Sequence, residues 1–168
     1  MLLYHPFFDA HHCLFRMLRL LAYNPEIEVE VDRFRVWDFY LLFPSTLQDI
    51  TLPQSAQRIR RFARAKQNRY EVLPDVRRAF VRLKPIQDVA LGHLSSAGYI
   101  NPLRFTEGII TRTNQAIPRQ LLDRLKTSNE ADTEIVSFLT TTFLEVPLYG
   151  KGGIRYRTDL FDRRYDVA

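Results

Sequence analysis

The sequence predicts a mostly α-helical α+β fold: a winged-helix-like core with flanking helices and a small β-hairpin wing. Three observations carry this. Apolar residues recur at helical spacing over most of the 168 residues. Only a few short stretches read as strands. Between residues 85 and 114 the order is helix, glycine stop, strand, turn, strand, as where a hairpin wing follows the third helix.

The elements follow in order. Residues 1 to 8 read as an extended arm or short strand, and Asp9 as a helix N-cap. From Ala10 to about Tyr23, Leu14, Met17, Leu18 and Leu21 form an apolar stripe with Arg16 and Arg19 off it. Asn24-Pro25 ends that helix, because proline disfavours α geometry in the residue before it. EIEVEV (26–31) reads as a short strand or an extended linker, with Ile27, Val29 and Val31 inward. Asp32 is the next N-cap, and Phe34, Val36, Trp37, Tyr40 and Leu41 give a face wide enough for a buried helix, closed by Pro44. QSAQRIRRFARAKQNRY (54–70) reads as a helix with a thin stripe of Ile59, Phe62 and Ala63 and a solvated basic face.

Pro74 and Pro85 each read as the opening of a helix. In the second, Ile86, Val89, Ala90, Leu94 and Ala97 share a face, and Gly98 is the expected left-handed cap. Tyr99-Ile100 starts a strand, NPLRFTEG turns, and GIITRTN (108–114) returns. Pro118 starts a further helix, and another runs from about Glu130 to Leu144 on Ile135, Phe138, Leu139 and Phe143. One domain is expected over 1–168, with its core at about 32–114, an N-terminal arm and helix at 1–24, and C-terminal helices and tail at 118–168.

Composition narrows the function classes. With 46% hydrophobic residues the chain can build a core. A formal net charge of +5 favours acidic or nucleic-acid surfaces. One cysteine excludes an internal disulfide framework. No apolar run is long enough for a membrane span, and the first residues lack a leader pattern, so a cytoplasmic location is expected.

HPFFDAHHC (5–13) gathers three histidines, an aspartate and the cysteine. His11 and His12 are adjacent, so on a helix they point about 100° apart and do not share a metal easily. A Cys13 nucleophile with His12 or His5 needs an orienting group and an oxyanion hole, which the sequence does not supply. Asp9 reads as a cap and Cys13 as a small core hydrophobe. YGKGG (149–153) departs from a phosphate-binding P-loop, because Gly152 stands where Ser or Thr would reach magnesium. Glu26, Glu28 and Glu30 share the outer face of a strand, and His93 reads as a packing residue. Helix 85–97 exposes Gln87, Asp88, Gly92, Ser95 and Ser96 and no Lys or Arg, which suits protein contact better than operator reading. No catalytic, cofactor-binding or metal-binding residue is assigned.

YHPFFDAHHCLFRMLRLL, DRFRVWDFYLLFP, PIQDVALGHLSSAGYI and the tail GKGGIRYRTDL together resemble the middle components of bacterial ABC-three-component conflict systems, a group that includes the Lamassu-type anti-phage systems. Asp159 stands where the resemblance leads us to expect a glycine after Arg-Thr. The resemblance implies a winged-helix-like core and a non-enzymatic adaptor, without cofactor, that bridges an SMC- or RecN-like ABC ATPase to an effector, often a nuclease. Docking is expected through Tyr4, Phe7, Phe8, Tyr149, Ile154, Tyr156, Leu160 and Phe161, since aromatic anchors dominate interfaces. Any DNA contact within the assembly is expected through Arg58, Arg60, Arg61, Arg64 and Lys66. The alternative is a winged-helix DNA-binding transcriptional regulator.

Overall fold

The computed structural model describes residues 9–52, 54–67, 73 and 75–162. In chain order they form α1 (Ala10–Tyr23), β1 (Glu28–Glu30), α2 (Val31–Leu42), α3 (Gln57–Ala65), α4 (Val76–Ser96), α5 (Pro102–Thr106), β2 (Ile109–Thr111), α6 (Arg119–Ala131), α7 (Thr133–Thr140) and α8 (Ile154–Thr158). Short 3₁₀ turns lie at Pro44–Asp49 and Gln54–Ala56. The fold is mostly helical with one small antiparallel sheet, as the sequence predicts. The chain divides into two compact units, Met1–Asp38 with Leu83–Thr133, and Phe39–Arg82 with Glu134–Ala168.

In the first unit Asp9 caps α1: its backbone is extended, and its carboxylate accepts the His11 N–H at 2.6 Å. Met17, Leu18 and Leu21 are buried as expected. Arg16 and Arg19 are buried too, against the expectation that they sit off the stripe. Arg19 bonds to α6, with Nε donating to Asn129 Oδ1 at 3.0 Å and Nη2 to Asp132 at 3.0 Å. Asn129 Nδ2 returns a bond to the Arg19 carbonyl. These partners are more than a hundred residues away in sequence, so no local pattern announces them.

β1 pairs antiparallel with β2, Val29 opposite Ile110, and Ile100 bridges to Arg112 on the far side. Ile27 and Val29 face inward. The cap after α4 has the expected geometry. Gly98 has φ +80, the Tyr99 N–H reaches back to the Leu94 carbonyl and the Gly98 N–H to that of Ser95. NPLRFT is not a turn but α5, because Asn101 caps it through the Leu103 and Arg104 N–H groups and Pro102 takes the first position.

Pro85 does not open a helix either. It lies inside α4, which runs unbroken from Val76 to Ser96. Proline removes the bond to the Val81 carbonyl, and both Val81 and Pro85 are exposed, where water can replace it. The buried face of α4 in this unit is Leu83, Gln87, Ala90, Leu91 and Leu94. Val89 and Ala97, expected inward, are exposed, and Gln87, expected outward, is fully buried.

The second unit is built on rings. Phe39 meets Phe43 at 5.2 Å and Phe80 edge-on at 5.5 Å, and Tyr40 meets Phe143, which stacks on Phe138. α3 buries Ile59 and Ala63. The tail is a folded element. Gly150 takes φ +88, and the Ile154 and Arg155 N–H groups bond the Pro147 and Leu148 carbonyls. α8 ends at Asp159, the one described non-glycine residue with positive φ, at +54. Arg77 holds it there, donating Nε to its carbonyl at 3.0 Å and Nη2 to its carboxylate at 2.6 Å.

Two sets of substitutions test this packing by urea denaturation. Asp38 is completely buried and bonded to Arg16, so Asp38→Ala strands a buried guanidinium and is expected to lower stability by about 3–5 kcal/mol. A loss under about 1 kcal/mol, typical of an exposed pair, contradicts the buried geometry. A Cβ at Gly153 would stand 2.3 Å from the Tyr149 carbonyl oxygen, so Gly153→Ala destabilises the tail. In α4 a Cβ at Gly92 meets nothing within 4 Å, so Gly92→Ala is expected to stabilise by about 0.5–1 kcal/mol. The reverse order of these two glycine variants rules out the described tail.

Candidate functional site

The N-terminal cluster resolves into separate roles. Asp9 is a cap, His11 and His12 are exposed, and Cys13 is fully buried. Among the described residues no three His, Cys, Asp or Glu side chains are placed to share a metal ion. His5 lies outside the described residues.

What the cluster does contribute is one corner of a polar node in the core. Asp38 of α2 accepts from Arg16 Nε of α1 at 2.7 Å and from Arg16 Nη2 at 3.3 Å. Gln87 Nε2 of α4 donates to Asp38 at 2.8 Å and to the Arg35 carbonyl at 3.0 Å. The Cys13 thiol points at the same carboxylate, Sγ to Oδ2 3.6 Å. Arg35 pairs with Asp88, which Lys84 also holds at 3.0 Å. Burial, reinforced by the Asp38 charge, pushes the Cys13 thiol far up, so it stays protonated and inert as a nucleophile. Sequence reasoning missed Arg16 and Gln87 here. The available signal was Asp38 itself, a carboxylate in the middle of a helix otherwise read as buried.

Two of the three carboxylates of the 26–30 stretch are partnered. Glu28 pairs with Arg104 at 2.8 Å and Glu30 with Arg33 at 2.7 Å. YGKGG is a tight turn, in which the Gly153 N–H closes on the Gly150 carbonyl.

The expected docking residues divide. Tyr149 and Tyr156 are 58% and 52% exposed. Ile154 and Leu160, expected to dock, are instead buried in the core of the chain. Phe161 is half-buried, 5.1 Å from the Phe80 ring, and the Arg155 guanidinium lies 4.1 Å from its centroid. Tyr4, Phe7 and Phe8 lie outside the described residues. Of the expected DNA-contacting residues, Arg58, Arg61, Arg64 and Lys66 are exposed. Arg60 turns inward, donating Nη2 to the Ile50 carbonyl at 3.0 Å.

The buried thiol and the buried Tyr40 phenol, which desolvation also pushes up, set a pH dependence. Both folded values lie above the ordinary 9.0 and 10.0, so their contribution is complete below pH 9 and is lost as the pH rises beyond. Stability measured by urea titration should fall steadily above pH 9, less steeply in Cys13→Ala. A flat profile to higher pH would mean that neither group is buried.

No helix of the described residues is long and apolar enough to cross a membrane. No curated protein matches the chain. No solved structure matches it either. The family model described as ABC-three component (ABC-3C) system Middle Component 5 matches residues 2–166. That match takes in α1, the node around Asp38, the basic helix α3 and the folded tail, nearly the whole sequence, and the chain belongs to the Middle Component 5 family of ABC-three-component systems.

Proposed function

We propose that this middle component is a non-enzymatic adaptor in anti-phage or anti-plasmid defence, bridging an SMC- or RecN-like ABC ATPase to an effector. Family membership supports a place among the components of such a system. The observation that carries the docking surface is the pair Tyr149 and Tyr156, half exposed on a tail whose own core is Ile154 and Leu160. Large aromatics presented on a fixed backbone lose little entropy on binding and make good anchors. Within the first unit, the order α1, β1, the start of α2, the later part of α4, the Ile100 bridge and β2 supports the winged-helix-like reading, with α5 in place of a wing loop.

Co-purification of the tagged chain with its system's other components tests this. Tyr149→Ala with Tyr156→Ala should release a partner while leaving the thermal melt of the isolated chain within a few degrees, since both are surface changes. Full retention of every partner removes the tail from the docking surface.

A further inference from the structure

The positive charge of this protein is gathered in one stretch. Residues 57–82 carry nine Lys and Arg against two Asp and Glu, and the rest of the chain has more acidic than basic residues. α3 turns its share outward. Ile59 and Ala63 bury one side of the helix. At about 100° per residue Arg61 lies opposite them, with Arg58 and Arg64 on either side. Lys66 is exposed just past the last turn.

The three arginines of this face contribute little to folding. The Arg58 side chain is 84% exposed, at 3.7 Å from Glu134. The Arg61 and Arg64 side chains make no ion pair or hydrogen bond to another described residue. Arg60, by contrast, is anchored on a carbonyl. Like charges one turn apart destabilise a helix, so a row of three outward guanidinium groups calls for an anion from outside.

We infer that the exposed face of α3 is a nucleic-acid interface that grips the phosphate backbone of a duplex. Guanidinium forks match phosphate oxygens better than ammonium groups do, and the row is arginine with one lysine at its end. Arg58 to Arg64 spans about 9 Å of helix axis, room for two or three phosphates at about 3.4 Å of rise each along one strand. A single strand would need exposed rings on which bases stack. The only aromatic residue of α3, Phe62, is half-buried with the Lys66 ammonium 5.4 Å from its centroid. A membrane surface would need large apolar side chains beside the cations. None of the exposed large hydrophobic residues belongs to α3.

The test is fluorescence anisotropy of the full chain with a short duplex of random sequence across a salt series. Arg58→Gln, Arg61→Gln and Arg64→Gln together should weaken binding at least about tenfold and make the log K against log salt slope shallower by about 2.7. Arg61→Gln alone, the mildest change, should reduce the slope by about 0.9. The matching triple Lys variant should keep it. Arg119→Gln with Lys126→Gln, exposed in the other unit, should change neither quantity. Tyr149→Ala with Tyr156→Ala should bind the duplex normally, so a failed docking surface leaves this result standing. The inference is overturned if the wild type does not bind at low salt, if the triple Gln variant binds like wild type, or if the Arg119/Lys126 control loses as much per charge. Tighter binding to anionic vesicles or to polyglutamate than to the duplex also overturns it, pointing to a lipid or an acidic protein instead.

Discussion

The first unit depends on one buried carboxylate. Asp38 has no access to water, so its charge is tolerable only while Arg16 and Gln87 stay in place. Those donors come from α1 and α4, on opposite sides of the sequence from α2. Turning either helix by one residue swings its donor about 100° away and leaves the carboxylate stranded. The apolar neighbours would tolerate such a slip better, since Leu, Ile and Met repack at modest cost. The node therefore fixes the rotation of three helices where hydrophobic packing alone leaves it loose. It also accounts for Cys13. A small residue is needed beside Asp38, and a neutral thiol fits there as a weak donor.

This shows which parts of the fold were readable in advance. Caps and stops are local chemistry, and Asp9, Gly98 and Pro118 could be placed from two or three neighbouring letters. The burial of α2 was readable from the width of its apolar face. Arg16, Arg19 and Gln87 were not, because polarity normally marks the outside of a helix and their partners lie 22 to 113 residues away. The misjudged face of α4 has the same origin. Once Gln87 is taken as exposed, the inward stripe shifts and Val89 is drawn into it. Pro102 and Pro85 erred in opposite directions. Asn101 made the first a helix start, while a continuous α4 absorbed the second because the lost bond faces water.

The tail illustrates the limit of reading function from residue type. Eight aromatic or aliphatic residues in the termini looked like anchors, and burial separates those in the tail into two kinds, with Phe161 half-buried between them. Ile154 and Leu160 close the small core of the tail, which leaves Tyr149 and Tyr156 outside. Asp159 is instructive too. A left-handed residue after α8 suits glycine, and here Asp adopts it because Arg77 binds both its carbonyl and its carboxylate. The side chain that replaces glycine supplies the contact that offsets its strain.

Charge and burial together separate two surfaces in the second unit. The tail offers tyrosines on a rigid turn, suited to a protein partner, and α3 offers arginines with hardly any apolar surface, suited to a polyanion. A single mixed patch would make the two activities compete for one partner. On the proposed reading, distinct elements let a middle component hold a protein neighbour while its basic helix responds to nucleic acid. The salt dependence of the two contacts then differs in kind. Phosphate contacts weaken steeply as salt rises, because binding depends on counterion release. Aromatic docking depends on apolar burial and changes little. Assembly through the tail would therefore persist under ionic conditions that strip the helix from a duplex.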